Sequence, residues 1–203
     1  MTLFELLQEA KKITMADQVR MYTDLSRNLS RELYRHHNNG TVPPEFIMQD
    51  EKNDSKKHHH LPTLDNIAFR KLPKNMTLYT GIRHNPLDFV DGGGHLHTPA
   101  FMSTSTSWGV AVQFAKRQSS RKDVFAEDGK KTYVEPAHIL EISAKRGQFA
   151  GNLSIKSVLQ SENEFLLPRN TILKVNPAPE INPGSQRDTY VWSCVIVAQK
   201  IQE

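Results

Sequence analysis

The stretch "QSENEFLLPR" sets two carboxylates, Glu162 and Glu164, one residue apart and directly ahead of an apolar run. In a strand, residues two apart point to the same face, so both charges would crowd one side and oppose each other's ionisation. Such a pair is either an exposed edge whose charges block aggregation or a group with chemical work to do. A second stretch, "AFMSTSTSWGVAVQFA", alternates Ser103, Ser105 and Ser107 along a strand that runs into a helix. Hydroxyls on one face can hold the walls of a cleft and a ligand's amide or ribose. Strand-prone Thr and a Ser cap account for the same residues without any ligand. A third, "LYTGIR", ends a strand in glycine and a cation. Arg83 can grip a phosphate bidentately through its planar fork, or simply face water at a strand end.

These residues need elements to position them. "TLFE" at the start reads as a capping box, Thr2 capping a helix while Glu5 reaches back. Tyr22, Leu25, Leu29 and Leu33 then recur at helical spacing as one apolar stripe. Residues 1–37 are therefore expected to be an N-terminal helical region, and the polar, Pro-containing, aperiodic residues 38–62 a linker or loop. His58, His59 and His60 are consecutive and lack a spaced partner, so they read as solvated loop rather than a metal site. From residue 75 the texture changes to short strand-prone runs, "MTLYTGI", "PAFMSTS", "AHILEIS", "NTILKV" and "TYVWSCVIVAQ". One helix interrupts them, where Val110 and Phe114, and Ala111 and Ala115, repeat at i, i+4 behind the candidate N-cap Ser107. Helices first and mostly antiparallel strands afterwards is the α+β pattern, with residues 63–203 as one core. "DGGGHLH" at 91–97 reads as a flexible turn.

Length and composition set the outer bounds. The 203 residues suit a single domain, and 37% apolar content can fill its core. A net charge of +4 fits attraction to phosphates without choosing between a nucleotide and a nucleic acid. The lone Cys194 cannot form an internal disulfide, which points to a reducing compartment. The first residues lack the basic start and apolar run of a signal peptide, and no stretch approaches the ~20 apolar residues that span a bilayer. A cytosolic monomer without membrane contact is the expectation. GxGxxG, GxxxxGK[ST], CxxC and HExxH are all missing from the sequence, which argues against the standard phosphate loops and a zinc site.

The order of the three stretches carries more than any one of them. A strand with Tyr-x-Gly and arginine, then "FMSTSTS" entering "VAVQFA", then Glu-x-Glu ahead of "FLLPRNTILKV", resembles the Arg–Ser–Glu family of mono-ADP-ribosyltransferases, especially binary-toxin-like and bacteriophage members. The resemblance covers residues 76–176. It implies two packed, mainly antiparallel sheets around a cleft for NAD, which is a substrate here, with no metal. It further implies that Glu164 is the catalytic glutamate, that Ser103 shapes the nicotinamide pocket, and that Glu162 goes with arginine acceptors. Tyr79, Thr80, Gly81, Thr104, Ser105 and Phe114 fall at the cofactor-binding positions. Residues 147–161 match the loop that presents the acceptor, with Phe149 within it. In the family an arginine usually follows the strand aromatic directly; here that slot is Thr80, and Arg83 stands three positions later.

The chemistry fits the residue types. Cleaving the nicotinamide–ribose bond resembles glycoside hydrolysis through an oxocarbenium-like sugar, and the leaving group departs neutral without an acid. A fixed carboxylate near the ribose helps as positive charge develops. A second carboxylate can hold a guanidinium, whose pKa above ~12 makes it a poor nucleophile while protonated, and take its proton. The expected activity is ADP-ribosyl transfer to arginine on target proteins, by a phage enzyme in the host cytoplasm acting on transcription or translation proteins. An RNA acceptor has no support in the residues. The alternatives are an NAD glycohydrolase and a non-catalytic nucleic-acid or protein-binding module on the same fold.

Overall fold

The computed structural model describes residues 61–118, 121–126, 129–134, 136–153, 163–183 and 188–200. The expected N-terminal helical region, nearly all of the 38–62 linker and Glu162 lie outside the described residues. The last two linker positions open a helix instead, α1 (Leu61–Ala68). Leu64, Ile67 and Ala68 are buried, the i, i+3, i+4 spacing of an amphipathic helix.

The strands are β1 (Met76–Ile82), β2 (His95–Thr98), β3 (Met102–Ser105), β4 (Arg121–Ala126), β5 (Gly129–Val134), β6 (Ala137–Ala144), β7 (Gly151–Asn152), β8 (Glu164–Leu167), β9 (Thr171–Val175), β10 (Glu180–Asn182) and β11 (Thr189–Gln199), with helix α2 (Trp108–Gln118) after β3. The five strand-prone runs became β1, β3, β6, β9 and β11. Nine strands form one sheet in the order β2-β9-β11-β6-β1-β3-β8-β7, with β10 beside β11, while β4 and β5 pair only with each other. All pairings are antiparallel except β11 with β6.

This sheet must fold over on itself. β8 and β9 stand five places apart in the strand order, yet only residues 168–170 separate them in sequence. Five strand spacings of about 4.8 Å make about 24 Å, whereas that short link reaches about 14 Å at most. The β2–β3 link, residues 99–101, imposes the same constraint. The expected two packed layers are therefore present, but as one hydrogen-bonded path joined at a single residue pair, Tyr79 with Ser105. Between the layers lies the main core, in which Leu78, Leu140, Ile142, Leu173 and Trp192 gather with Leu167 from β8.

A second cluster seals α1 against the β7–β8 end, with Leu64 and Ile67 on Phe101, Leu153 and Leu166. Arg169, 8% exposed, clamps Asp65 of that helix through three bonds, Nε to Oδ1 at 2.9 Å and to Oδ2 at 3.2 Å and a terminal nitrogen to Oδ2 at 2.7 Å. The "DGGGHLH" stretch is a closed turn followed by strand rather than a flexible turn. The Asp91 carboxylate accepts from the Gly93 and His95 amides at 2.8 and 2.9 Å, which orders the glycines, and His95 opens β2. The His95 amide above all, with the His97 ring and the Gly93 amide, holds the Asp91 carboxyl down to about 2. Among the described residues no helix is long and apolar enough to cross a membrane.

Candidate active site

The site begins where the sheet fails to stay paired. β1 and β3 share only the Tyr79–Ser105 pair and then part. On the other side of β3, Ser105 lies opposite Glu164. Tyr79, Ser105 and Glu164 thus form a row across three strands, and the gap opening beside that row is a small cleft of about 70 Å³. It is lined by Tyr79, Thr80 and Gly81 from β1, by Ser103, Thr104 and Ser105 from β3, by Glu164 from β8, and by Val110, Ala111 and Phe114 from α2.

Glu164 is 4% exposed, and the Ser103 hydroxyl donates to its Oε1 at 2.6 Å. That length lies in the short range of a hydroxyl meeting a charged acceptor. The second carboxylate oxygen is shielded from solvent as well. Ser103 itself is exposed, so the pair spans the wall of the cleft from the inside to the rim. Thr104 fixes the strand between them by donating to the Phe165 carbonyl at 2.8 Å. The Leu153 amide donates to the Glu164 carbonyl at 2.9 Å, bringing the end of β7 up to the same residue.

The wall opposite is α2, and local sequence explains its position. The Ser105 hydroxyl accepts from the Ser107 amide at 2.9 Å, and the Ser107 carbonyl accepts the first helical bond from Ala111 at 3.3 Å. Ser107 therefore stands at the N-cap, as its residue type suggested. The helix lies directly on β1 because residue 81 is glycine. A Cβ there would sit 2.3 Å from the Ala115 nitrogen and 2.5 Å from the Ala111 oxygen. Tyr79 wedges under the first turn, its ring meeting Trp108 edge-on at 5.5 Å. Burial pushes the Tyr79 phenol above its ordinary value, and the neighbouring Glu141 carboxylate adds to this by charge and by hydrogen bond.

The structure thus brings together Tyr79, Thr80, Gly81, Ser103, Thr104, Ser105, Phe114 and Glu164. It does not bring Arg83 or Phe149 to them. Arg83 lines a second, larger hollow of about 510 Å³, together with Ile82, His84, Phe89, Leu96 and Met102 among others. Phe149 packs edge-on against Phe69 at 5.5 Å, and its backbone is held by the Gln199 side chain. Glu162 lies outside the described residues; β8 begins at Glu164, and Asn163 just ahead of it adopts a left-handed φ of 46°. Sequence reasoning missed Val110 and Ala111 as cleft residues, although the i, i+4 pattern contained both. It also missed Glu141, which the register of β6 sets opposite Tyr79.

No family model and no curated protein matches the sequence. Solved structures do match. Plx2a, an ADP-ribosyltransferase toxin from Paenibacillus larvae, aligns with a TM-score of 0.59 and 15% identity over 91% of this chain and 86% of that one. The C3 exoenzyme of Clostridium limosum gives 0.60 and 16% over 91% and 85%. The chain has the ADP-ribosyltransferase fold. BECa, an ADP-ribosylating toxin of a C. perfringens binary enterotoxin determined with NADH, aligns at 0.52 and 15% over 92% of this chain and 44% of that one. At such identities the likeness is one of fold. The α+β class and the mainly antiparallel sheet expected from the sequence are those of an ADP-ribosyltransferase fold, and the Ser103–Glu164 pair lies in the cleft where β1 and β3 part beneath α2.

Proposed function

We propose that this chain is an NAD-dependent mono-ADP-ribosyltransferase whose catalytic centre is the Ser103–Glu164 pair. The observation that carries the reading is the 2.6 Å bond that fixes a buried carboxylate at the wall of a cleft on this fold. When NAD⁺ is held with its ribose against Glu164, the carboxylate faces positive charge that develops at C1′ as the bond to nicotinamide lengthens. The bonding pair leaves with the nicotinamide nitrogen, which becomes neutral. Ser103 keeps the carboxylate oriented, so little reorganisation accompanies the charge change. Tyr79 and α2 close the opposite wall and exclude water.

The acceptor we assign is the arginine side chain, supported by the Glu162-x-Glu164 spacing in the sequence. Its nitrogen attacks C1′ and its proton passes to a carboxylate base. A phage enzyme modifying host proteins in the host cytoplasm is the biological setting that the resemblance supports.

The test compares the wild-type protein with Glu164→Gln for nicotinamide release from NAD⁺ and for ADP-ribose adducts in a cell lysate, located by mass spectrometry. Losing a preorganised charge should slow both by about 100- to 1000-fold. Undiminished release by the variant would remove Glu164 from the chemistry. Adducts on arginine support the acceptor; adducts elsewhere, or free ADP-ribose alone, reassign it to another side chain or to water.

A further inference from the structure

The charge of this chain is unevenly placed. Residues 69–75, "FRKLPKN", and 144–150, "AKRGQFA", hold five cations and no carboxylate. Backbone bonds tie the two segments into a short ladder. The Leu72 amide donates to the Gln148 carbonyl at 2.8 Å, the Gly147 amide to the Leu72 carbonyl at 3.0 Å, and the Ala150 amide to the Arg70 carbonyl at 3.0 Å. The Arg146 amide donates to Asn75 Oδ1 at 2.8 Å, and the Lys145 amide to Gln148 Oε1 at 2.8 Å. The Gln199 side chain bonds both the amide and the carbonyl of Phe149, at 2.8 and 2.7 Å, which brings Lys200 to the same end of the molecule.

Arg70, Lys71, Lys74, Lys145, Arg146 and Lys200 are all exposed, and none forms an ion pair with a described residue. Six like charges at one end exceed the net charge of +4 that the whole chain carries. Gathering them is unfavourable by self-repulsion, which a bound polyanion offsets. Among the described residues the exposed large apolar side chains, such as Phe89, Trp108 and Ile181, lie outside both segments. A protein partner needs a buried aromatic or aliphatic anchor and disfavours lysine at its centre. A phosphate backbone needs only cations. From Arg70 to Lys74 the chain spans at most about 13 Å, the rise of about four nucleotides along one strand.

We propose that this basic ladder docks the phosphate backbone of a nucleic acid. Arginine grips phosphate oxygens through its planar fork and lysine as a point charge. The contacts are to phosphates, so binding ignores base sequence and weakens with salt. Past Ala150 the chain enters β7, and the Leu153 amide meets the Glu164 carbonyl, so the ladder leads to the strand that carries the buried carboxylate. The nucleic acid is a docking partner here and not the group modified; no bond in it is made or broken.

Fluorescence anisotropy of the full chain tests this with three labelled probes: a single-stranded RNA of about 12 nucleotides, DNA of the same sequence, and a polyglutamate peptide of equal charge. Each is titrated from about 25 to 250 mM salt. The proteins are wild type, the triple variant Lys71→Gln, Lys74→Gln, Arg146→Gln, and Lys174→Gln, an exposed lysine outside the ladder, each checked for folding by circular dichroism. Wild type should bind both nucleic acids, with log K falling against log salt at a slope of about −4. The triple variant should lose about 2 of that slope and bind about 10- to 100-fold more weakly at about 50 mM salt. Lys174→Gln should match wild type. Whichever of RNA and DNA binds more tightly names the source of the backbone. No binding by wild type at the lowest salt overturns the proposal, and so does a triple variant that keeps the wild-type slope. Polyglutamate bound as tightly as nucleic acid overturns it in favour of an acidic protein. Nucleic-acid binding without nicotinamide release sinks only the catalytic reading above, whereas Glu164-dependent nicotinamide release without nucleic-acid binding sinks only this proposal.

Discussion

The two α-helices among the described residues sit on the β3–β8 layer and its neighbour by the same device and with different results. α1 lies against β7 at Gly151, where a Cβ would stand 2.0 Å from the Ile67 oxygen, and α2 lies against β1 at Gly81. Beneath α1 the space is filled by Leu64, Ile67, Phe101, Leu153 and Leu166, and the Asp65–Arg169 clamp closes it. Beneath α2 the buried helix residues are the small Ala111 and Ala115, and the strands it covers have parted. The α1 contact makes core throughout; the α2 contact makes core towards β6, where Ala111 and Ala115 meet Ala137 and Ile139, and a cleft towards β3. The difference lies in side-chain volume and in strand pairing, since apolar bulk fills a gap whereas hydroxyls, a carboxylate and alanines leave one.

The comparison breaks first at the clamp. Arg169→Ala leaves Asp65 largely buried without its partner and should cost about 3–5 kcal/mol, read as a lower denaturant midpoint, with KM unchanged in whatever protein remains folded. An unaltered midpoint would mean that α1 is held by its apolar face alone.

Next come the glycines. Gly151→Ala and Gly81→Ala each force backbone apart and should each cost about 1–3 kcal/mol. They should differ in activity. Gly81→Ala shifts the α2 wall of the cleft and should lower kcat/KM for NAD⁺ about 10-fold or more, while Gly151→Ala should leave it unchanged. Equal effects on activity would erase the distinction between the two helix contacts.

The smallest effect concerns Cys194, buried in the main core, whose thiol burial pushes up to about 12, with the Glu141 charge adding to it. The folded pKa exceeds the unfolded one, so the protein loses stability as pH rises above the unfolded value of about 8.5. At pH 8 a thiol reagent should label Cys194 only at the rate of unfolding, and fast labelling of native protein would contradict its burial.

How far the sequence could be read follows from which signals are local. The five strand runs were legible because strand-prone residues cluster between turn residues, and α2 because its alanines recur at i, i+4 behind a serine cap. α1 was not, since its eight residues follow a polar stretch that dominates the local texture. β2 was hidden by three glycines, whose order comes from Asp91 accepting two amides. Ser103, Glu164 and the residues around them were found through their types and order. The left-handed backbone at Asn163, directly ahead of Glu164, was not legible, because asparagine in a polar stretch carries no local sign of it.

By itself the sequence determined the α+β composition, the strand that carries Ser103, the acidic residue that heads β8, and the glycine that lets a helix approach β1. All of these are consequences of local propensity, periodicity and residue chemistry. Only the tertiary structure decided that β3 and β8 pair so as to put Ser103 on Glu164, that β1 leaves β3 after one pair, and that Arg83 belongs to a different hollow. Register between distant segments and the point at which two strands part depend on the packing of the whole sheet, including short links that force it to fold over, and no local stretch of residues contains that information.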